Sequence, residues 1–139
     1  MKGKTIDALK VGDTAEFAKT VSESDVYLYA GVTGDLNPAH IDEAYAQSTF
    51  FKTRIAHGML TAGFISAVIG TRLPGPGTIY MQQTLSFMAP VRMGDTITAR
   101  VEVVEIVPEK KRARLKTVCV NQEGTVVLDG EALVSPPRD

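Results

Sequence analysis

The sequence predicts an α+β fold: one antiparallel sheet of about five strands, curled around a single long buried helix. Three observations predict it. Residues 58–69, "GMLTAGFISAVI", are apolar nearly all round. A helix with no broad polar face needs cover on several sides, which a strongly curled sheet provides. From Ile79 onward the chain alternates apolar and polar residues in four runs. The turns between these runs, such as "MGD" and "NQEG", are short, which implies an antiparallel meander.

Each element has a local reason. Val11-Gly12-Asp13 turns into a first strand, "TAEFAKTV". "SESD" carries helix-start chemistry, with Ser22 as cap and Asp25 three positions later. Residues 26–32 follow as a helix with Val26, Tyr29 and Ala30 on one face. Gly34 suits the left-handed position that ends it. Asn37-Pro38 then reads as a cap followed by proline at the first helical position. One short helix, "AHIDEAYAQ", is predicted there, with His40 in its first turn. "STFFKTRIA" connects to Gly58, which opens the long helix, and "PGPG" stops it. On the next strand Ile79, Met81, Leu85 and Phe87 are predicted on one face, opposite Tyr80, Gln82, Thr84 and Ser86. "TITARVEVVEI", "RARLKTVCV" and "TVVLDGEALV" complete the sheet. Its exposed edges favour pairing with a second copy, so a homodimer is expected.

Composition narrows the function classes. The 139 residues suit one domain spanning 1–139. A formal net charge of −1 steers the molecule towards neither nucleic acid nor an anionic membrane. The single cysteine, Cys119, forms no internal disulfide, and "MKGKTIDALKVGD" has no signal-peptide core. The longest apolar segment is too short to cross a bilayer. A cytoplasmic protein is the expectation.

The chemistry centres on "GDLNPAH", residues 34–40. It sets a carboxylate, Asp35, five residues from an imidazole, His40. Two titratable groups with unlike surroundings suit acid and base roles. Asp35 can accept local backbone hydrogen bonds, and Pro38 stiffens the turn. On the loop alone, a helix-opening turn with a surface histidine is the commoner explanation. A metal is not expected, because Asp35, His40 and His57 lack a recognised ligand spacing. "AHGML" adds a glycine, Gly58, at the amino end of the apolar helix, where free N–H groups can receive developing negative charge. Ser66 lies amid "FISAVI"; bonding back to its own helix is the usual role, and lining a pocket is the alternative. Asn37, His57, Gly58 and Ser66 are the candidate substrate or oxyanion residues.

"YAGVTGDLNPAHIDEAYAQSTFF", "RIAHGML" and "LSFMAPVRMGDTITARVEV" together resemble the MaoC-like, (R)-specific enoyl-CoA hydratase family along nearly the whole chain. Ala39 stands where that family often carries Leu, Ile or Val. The resemblance implies a hot-dog fold, in accord with the wrapped helix. It implies reversible hydration of a trans-2-enoyl-CoA to an (R)-3-hydroxyacyl-CoA, with the thioester as substrate and no cofactor. It assigns Asp35 and His40 as the catalytic pair, Gly58 N–H as thioester-oxygen donor and Ser66 as a supporting residue. Asp35 is expected as base towards water and His40 as donor towards the α-carbon. The reverse division stays open, because a coupled pair titrates as a unit.

Arg112 and Arg114 share a strand face and are candidates for the CoA phosphates; a solvated, edge-guarding face is the alternative. Arg54 and Arg72 are further phosphate candidates. Three other functions stay open: a thioesterase on the same fold, a non-catalytic acyl-CoA-binding module, and a purely structural dimer.

Overall fold

Ser22 and Asp25 start the first helix as a reciprocal cap. The Ser22 hydroxyl accepts from Asp25 N–H at 3.1 Å, and the Asp25 carboxylate accepts from Ser22 N–H at 3.0 Å. In the computed structural model, which describes residues Met1–Asp139, this helix is α1, Glu23–Thr33. It follows strand β1, Thr14–Thr20, and ends at Gly34, whose φ of 83° is the left-handed conformation glycine tolerates.

Beyond the Asn37 cap the chain departs from the single short helix predicted. Two helical turns form instead, α2 over Pro38–Ile41 and α3 over Glu43–Gln47. Asp42 separates them. Its backbone is extended, and its carboxylate caps Tyr45 N–H at 3.2 Å. An aspartate that can cap a new helix competes with continuing the old one.

Helix α4, Gly58–Thr71, buries Thr61, Ala62, Phe64, Ile65, Val68 and Ile69 against the sheet. Its cover is one broad face, less than its composition predicts: Met59, Gly63, Ser66 and Gly70 form an exposed stripe. Strands β2 (Ile79–Phe87), β3 (Thr96–Val107), β4 (Arg112–Val120) and β5 (Val126–Ser135) follow. The sheet is antiparallel, in the order β1-β3-β4-β5-β2. Only β3, β4 and β5 form the predicted meander. β2 pairs with β5 at the far edge, so the short turn after β2 crosses the sheet end rather than closing a hairpin. Alternation and turn length carry no record of which neighbour a strand chooses.

The predicted faces of β2 also need correcting. Pairing runs from Tyr80↔Val134 to Gln82↔Leu133, leaving Met81 as an extra, bulged residue. One inserted residue inverts the alternation on one side of it. Tyr80, Gln83, Leu85 and Phe87 therefore share the inner side with Val134, Ala132 and Leu128, while Ile79 is exposed on the other. The inner faces of β3, β4 and β5 supply Ile97, Val101, Leu115, Leu128 and Val134, all wholly buried. No helix is long and apolar enough to cross a membrane.

Candidate active site

The loop between α1 and α2 holds its shape through short-range hydrogen bonds. Asp35 N–H donates to Thr33 Oγ1 at 3.2 Å, and Asn37 N–H donates to Asp35 Oδ1 at 3.3 Å. The Asn37 side chain accepts from Ala39 N–H at 3.0 Å. One Asp35 oxygen is thus held by its own turn, an Asx-type bond available from the sequence Asp-x-Asn.

His40, in α2, is held by main chain from elsewhere. Its Nδ1 lies 2.7 Å from the Ile55 carbonyl oxygen. A carbonyl only accepts, so the proton sits on Nδ1 and, in the neutral ring, Nε2 is a bare acceptor. His57 is arranged the other way. Its Nε2 donates to the Asp35 backbone carbonyl at 2.9 Å, and its buried Nδ1 has no protein partner. The two imidazoles stack with centroids 3.9 Å apart and planes 32° from parallel. The Tyr29 ring of α1 also packs on His57, with centroids 4.6 Å apart.

Ligating atoms of Asp35, His40 and His57 all lie within 4.8 Å of one another. Spacing along the chain hides this, because His57 arrives as the cap residue of α4, beyond α2 and α3. A metal ion must lie in the plane of each imidazole that binds it. The two ring planes here are only 32° apart, and His40 Nδ1 and His57 Nε2 already face main-chain carbonyls. The arrangement suits proton exchange with a small polar molecule better than a shared ion.

Asp35, His40, His57 and Gly58 line a cleft of about 550 Å³, walled mostly by apolar side chains including Phe51, Phe87, Val91 and Leu128. That size and lining suit a ligand with an extended apolar part. Gly58 is the first residue of α4, so its N–H has no partner within the helix. A Cβ at Gly58 would sit 2.5 Å from Phe87 Cε1. Glycine is what lets the Phe87 ring close over the helix start.

Other candidates fall elsewhere. Ser66 lies on the exposed stripe of α4, in a separate depression with Met59, Gly63 and Tyr80. Asn37 is exposed, and its side chain is the helix cap. Arg112 and Arg114 lie on the outer face of β4, outside the cleft, opposite buried Ala113 and Leu115. Arg114 is paired with Glu131 at 2.8 Å and Glu105 at 3.7 Å. Arg54 is taken up by Glu23 at 2.9 Å and Tyr27 at 2.8 Å. Arg72 stacks over Phe17 and donates to the Glu16 carbonyl. None of the four stands free at the cleft. Sequence reasoning missed Ile55, which acts through its carbonyl and so leaves no side-chain signal. It also missed Thr61, a buried cleft residue whose hydroxyl has no protein partner.

Comparison with known proteins agrees with this geometry. The model of the MaoC-like domain matches residues 8–127. An (R)-specific enoyl-CoA hydratase of Rhodospirillum rubrum is 62% identical over 129 residues, 93% of this chain and 89% of its own length. A 3-hydroxybutyryl-CoA dehydratase of Methylorubrum extorquens is 57% identical over 131 residues, 94% of this chain and 82% of its own. The solved structure of an unliganded R-hydratase from Pseudomonas aeruginosa superposes with a TM-score of 0.93. It is 49% identical, over 99% of this chain and 88% of that one. By sequence and by backbone alike, the chain belongs to the MaoC-like domain family and has its hot-dog fold.

Proposed function

We propose that the chain is an (R)-specific enoyl-CoA hydratase, adding water reversibly and from one face to a trans-2-enoyl-CoA. The observation that carries this is the convergence of the Asp35 carboxylate and the His40 ring beside the amino end of α4, at an apolar cleft. In the hydration direction, Asp35 takes a proton from a water held between it and His40 Nε2. The water oxygen bonds to the β-carbon, and the double-bond electrons move through the α-carbon onto the thioester oxygen. The Gly58 N–H receives that charge. Imidazolium His40 then delivers its Nε2 proton to the α-carbon, and a proton passing from Asp35 to His40 resets the pair. The conjugated thioester supplies the activation, so the reading includes no cofactor.

The α4 stripe of Met59, Gly63, Ser66 and Gly70, with exposed Met81 lining one depression with the first three, supports a homodimer. In this reading Ser66 lies at the subunit contact. A cytoplasmic enzyme of one domain over 1–139 completes the proposal. The test is loss of enoyl absorbance from crotonyl-CoA, with product chirality read by an (R)-specific dehydrogenase. Hydrated (R) product is expected; free CoA with no hydrated product would establish the thioesterase instead.

Thiol detection in that assay has a clean background. Cys119 is wholly buried, and burial pushes its thiol up to about 12. A buried thiol that stays protonated is a poor nucleophile. Native protein is expected to show no reaction with DTNB, and unfolded protein one equivalent. Rapid labelling of native protein would contradict this burial.

Gly58→Ala tests the helix-start site. Its Cβ would displace the Phe87 ring into the cleft. Loss in kcat/KM is expected up to about a hundredfold, the scale of an ångström misplacement. Adding Phe87→Leu is expected to restore part of it. Unchanged kinetics in Gly58→Ala would remove this wall from the substrate path.

A further inference from the structure

The segment preceding Ile55 is anchored from two sides. From α3, the Glu43 carboxylate accepts from the Thr53 hydroxyl, at 2.9 Å and 2.8 Å to its two oxygens. It also accepts from the Arg54 backbone N–H at 2.9 Å. From α1, Glu23 pairs with Arg54 Nη2 at 2.9 Å. Tyr27 accepts from Arg54 Nη1 at 2.8 Å, and the guanidinium lies 5.7 Å from its ring centre. Helices α1 and α3 flank the segment that carries the Asp35 loop and His40 of α2. The clamp therefore ties both flanks of that loop to residues 53 and 54.

The next residue is Ile55. Its carbonyl accepts from His40 Nδ1–H at 2.7 Å, and its N–H donates to the Ala39 carbonyl at 3.2 Å. A histidine free in water favours the other tautomer, with the proton on Nε2. Holding it on Nδ1 requires an acceptor kept in place. Exposed ion pairs contribute little to stability as such. Two donors on one carboxylate, the Thr53 hydroxyl and the Arg54 N–H, serve better as a geometric anchor. The Arg54 N–H first, then the Thr53 hydroxyl, hold the Glu43 carboxyl below the usual carboxylate range, so it remains an acceptor at both oxygens.

We propose that Glu43 is a positioning residue: by anchoring residues 53 and 54 it keeps the Ile55 carbonyl where His40 retains its Nδ1 proton and presents Nε2 to the cleft. The catalytic consequence rests on the hydratase reading of His40; the tautomer does not.

The test uses the full chain with Glu43→Ala and Glu43→Gln. The His40 tautomer is read from ¹⁵N ring correlations at a pH where the ring is neutral, and crotonyl-CoA kinetics are measured beside it. In the parent chain the Nδ1–H signature is expected. In Glu43→Ala it gives way to a mixture rich in Nε2–H, and kcat falls about tenfold or more with KM within about twofold. Glu43→Gln keeps an oxygen for the Arg54 N–H and recovers most of the loss. If Glu43→Ala does not fold, Thr53→Val loosens the same anchor and is expected to shift the tautomer partway. An undisturbed Nδ1–H signature in Glu43→Ala, or in Thr53→Val as its substitute, overturns the proposal. A tautomer that shifts in a chain showing no hydration leaves the positioning role standing and sinks the hydratase reading alone.

Discussion

His40→Ala and Asp35→Asn are each expected to lower kcat for hydration of crotonyl-CoA by at least about a hundredfold, the low end for positioned acid–base groups. His40→Ala removes the only ring nitrogen held towards the cleft by the Ile55 contact. Asp35→Asn keeps the turn, because the amide oxygen can still accept from Asn37 N–H as Asp35 Oδ1 does at 3.3 Å. It removes the negative charge that, in the proposed mechanism, takes a proton from water. In the proposed mechanism the pair acts on one water, so the double variant is expected to be little worse than the poorer single one. His40 is partly exposed and Asp35 exposed, so thermal midpoints near that of the parent are expected in both. A variant with near-parental turnover would remove that residue from the mechanism. Multiplying losses in the double variant would show two independent roles.

Gly130→Ala is expected to be the most damaging single methyl addition to the sheet. Gly130 pairs with Leu85 across β5 and β2. The Thr84 carbonyl leans over it: an added Cβ would lie 1.8 Å from that oxygen. The same oxygen accepts from Gln83 Nε2 at 2.8 Å, and Gln83 also reaches Thr117 Oγ1 at 2.9 Å. The clash is with backbone, which cannot swing aside as a side chain can. The methyl must therefore part β2 from β5 or break the Gln83 bridge to buried Thr117. Overpacking costs about 1–3 kcal/mol, and a backbone clash belongs at the upper end or beyond. For a chain of this length that is a fall in Tm of roughly 5–10 °C or more. Urea melts of the variant check the magnitude directly. A loss below about 0.5 kcal/mol would mean that β2 is free to move off β5.

Local chemistry was the legible part of this fold. Ser22 with Asp25, Gly34, and Asn37 with Pro38 each act within a few residues, and all five open, cap or terminate helices as their types dictate. The apolar composition of α4 likewise announced the element around which the sheet would curl. What stayed hidden depends on partners distant in sequence. Met81 is a bulge because of how β2 meets β5, and nothing in "IYMQQTLSF" marks it. Asp42 splits a helix that periodicity joins. In the site, Asp35 and His40 could be singled out as a carboxylate and an imidazole on one short loop. The contacts that orient them could not, since Ile55 and Asp35 contribute main-chain oxygens and Glu43 works through a backbone amide.

Both imidazoles spend one nitrogen on a carbonyl from another part of the chain, His40 on Ile55 and His57 on Asp35. The seven-residue loop is therefore half of a two-piece device. Transplanted alone into a related scaffold, it would bring the Asp35 carboxylate and the His40 ring and leave behind what aims them. An enzyme engineer moving this chemistry would have to graft residues 34–43 and 53–58 together, as one interlocking cassette.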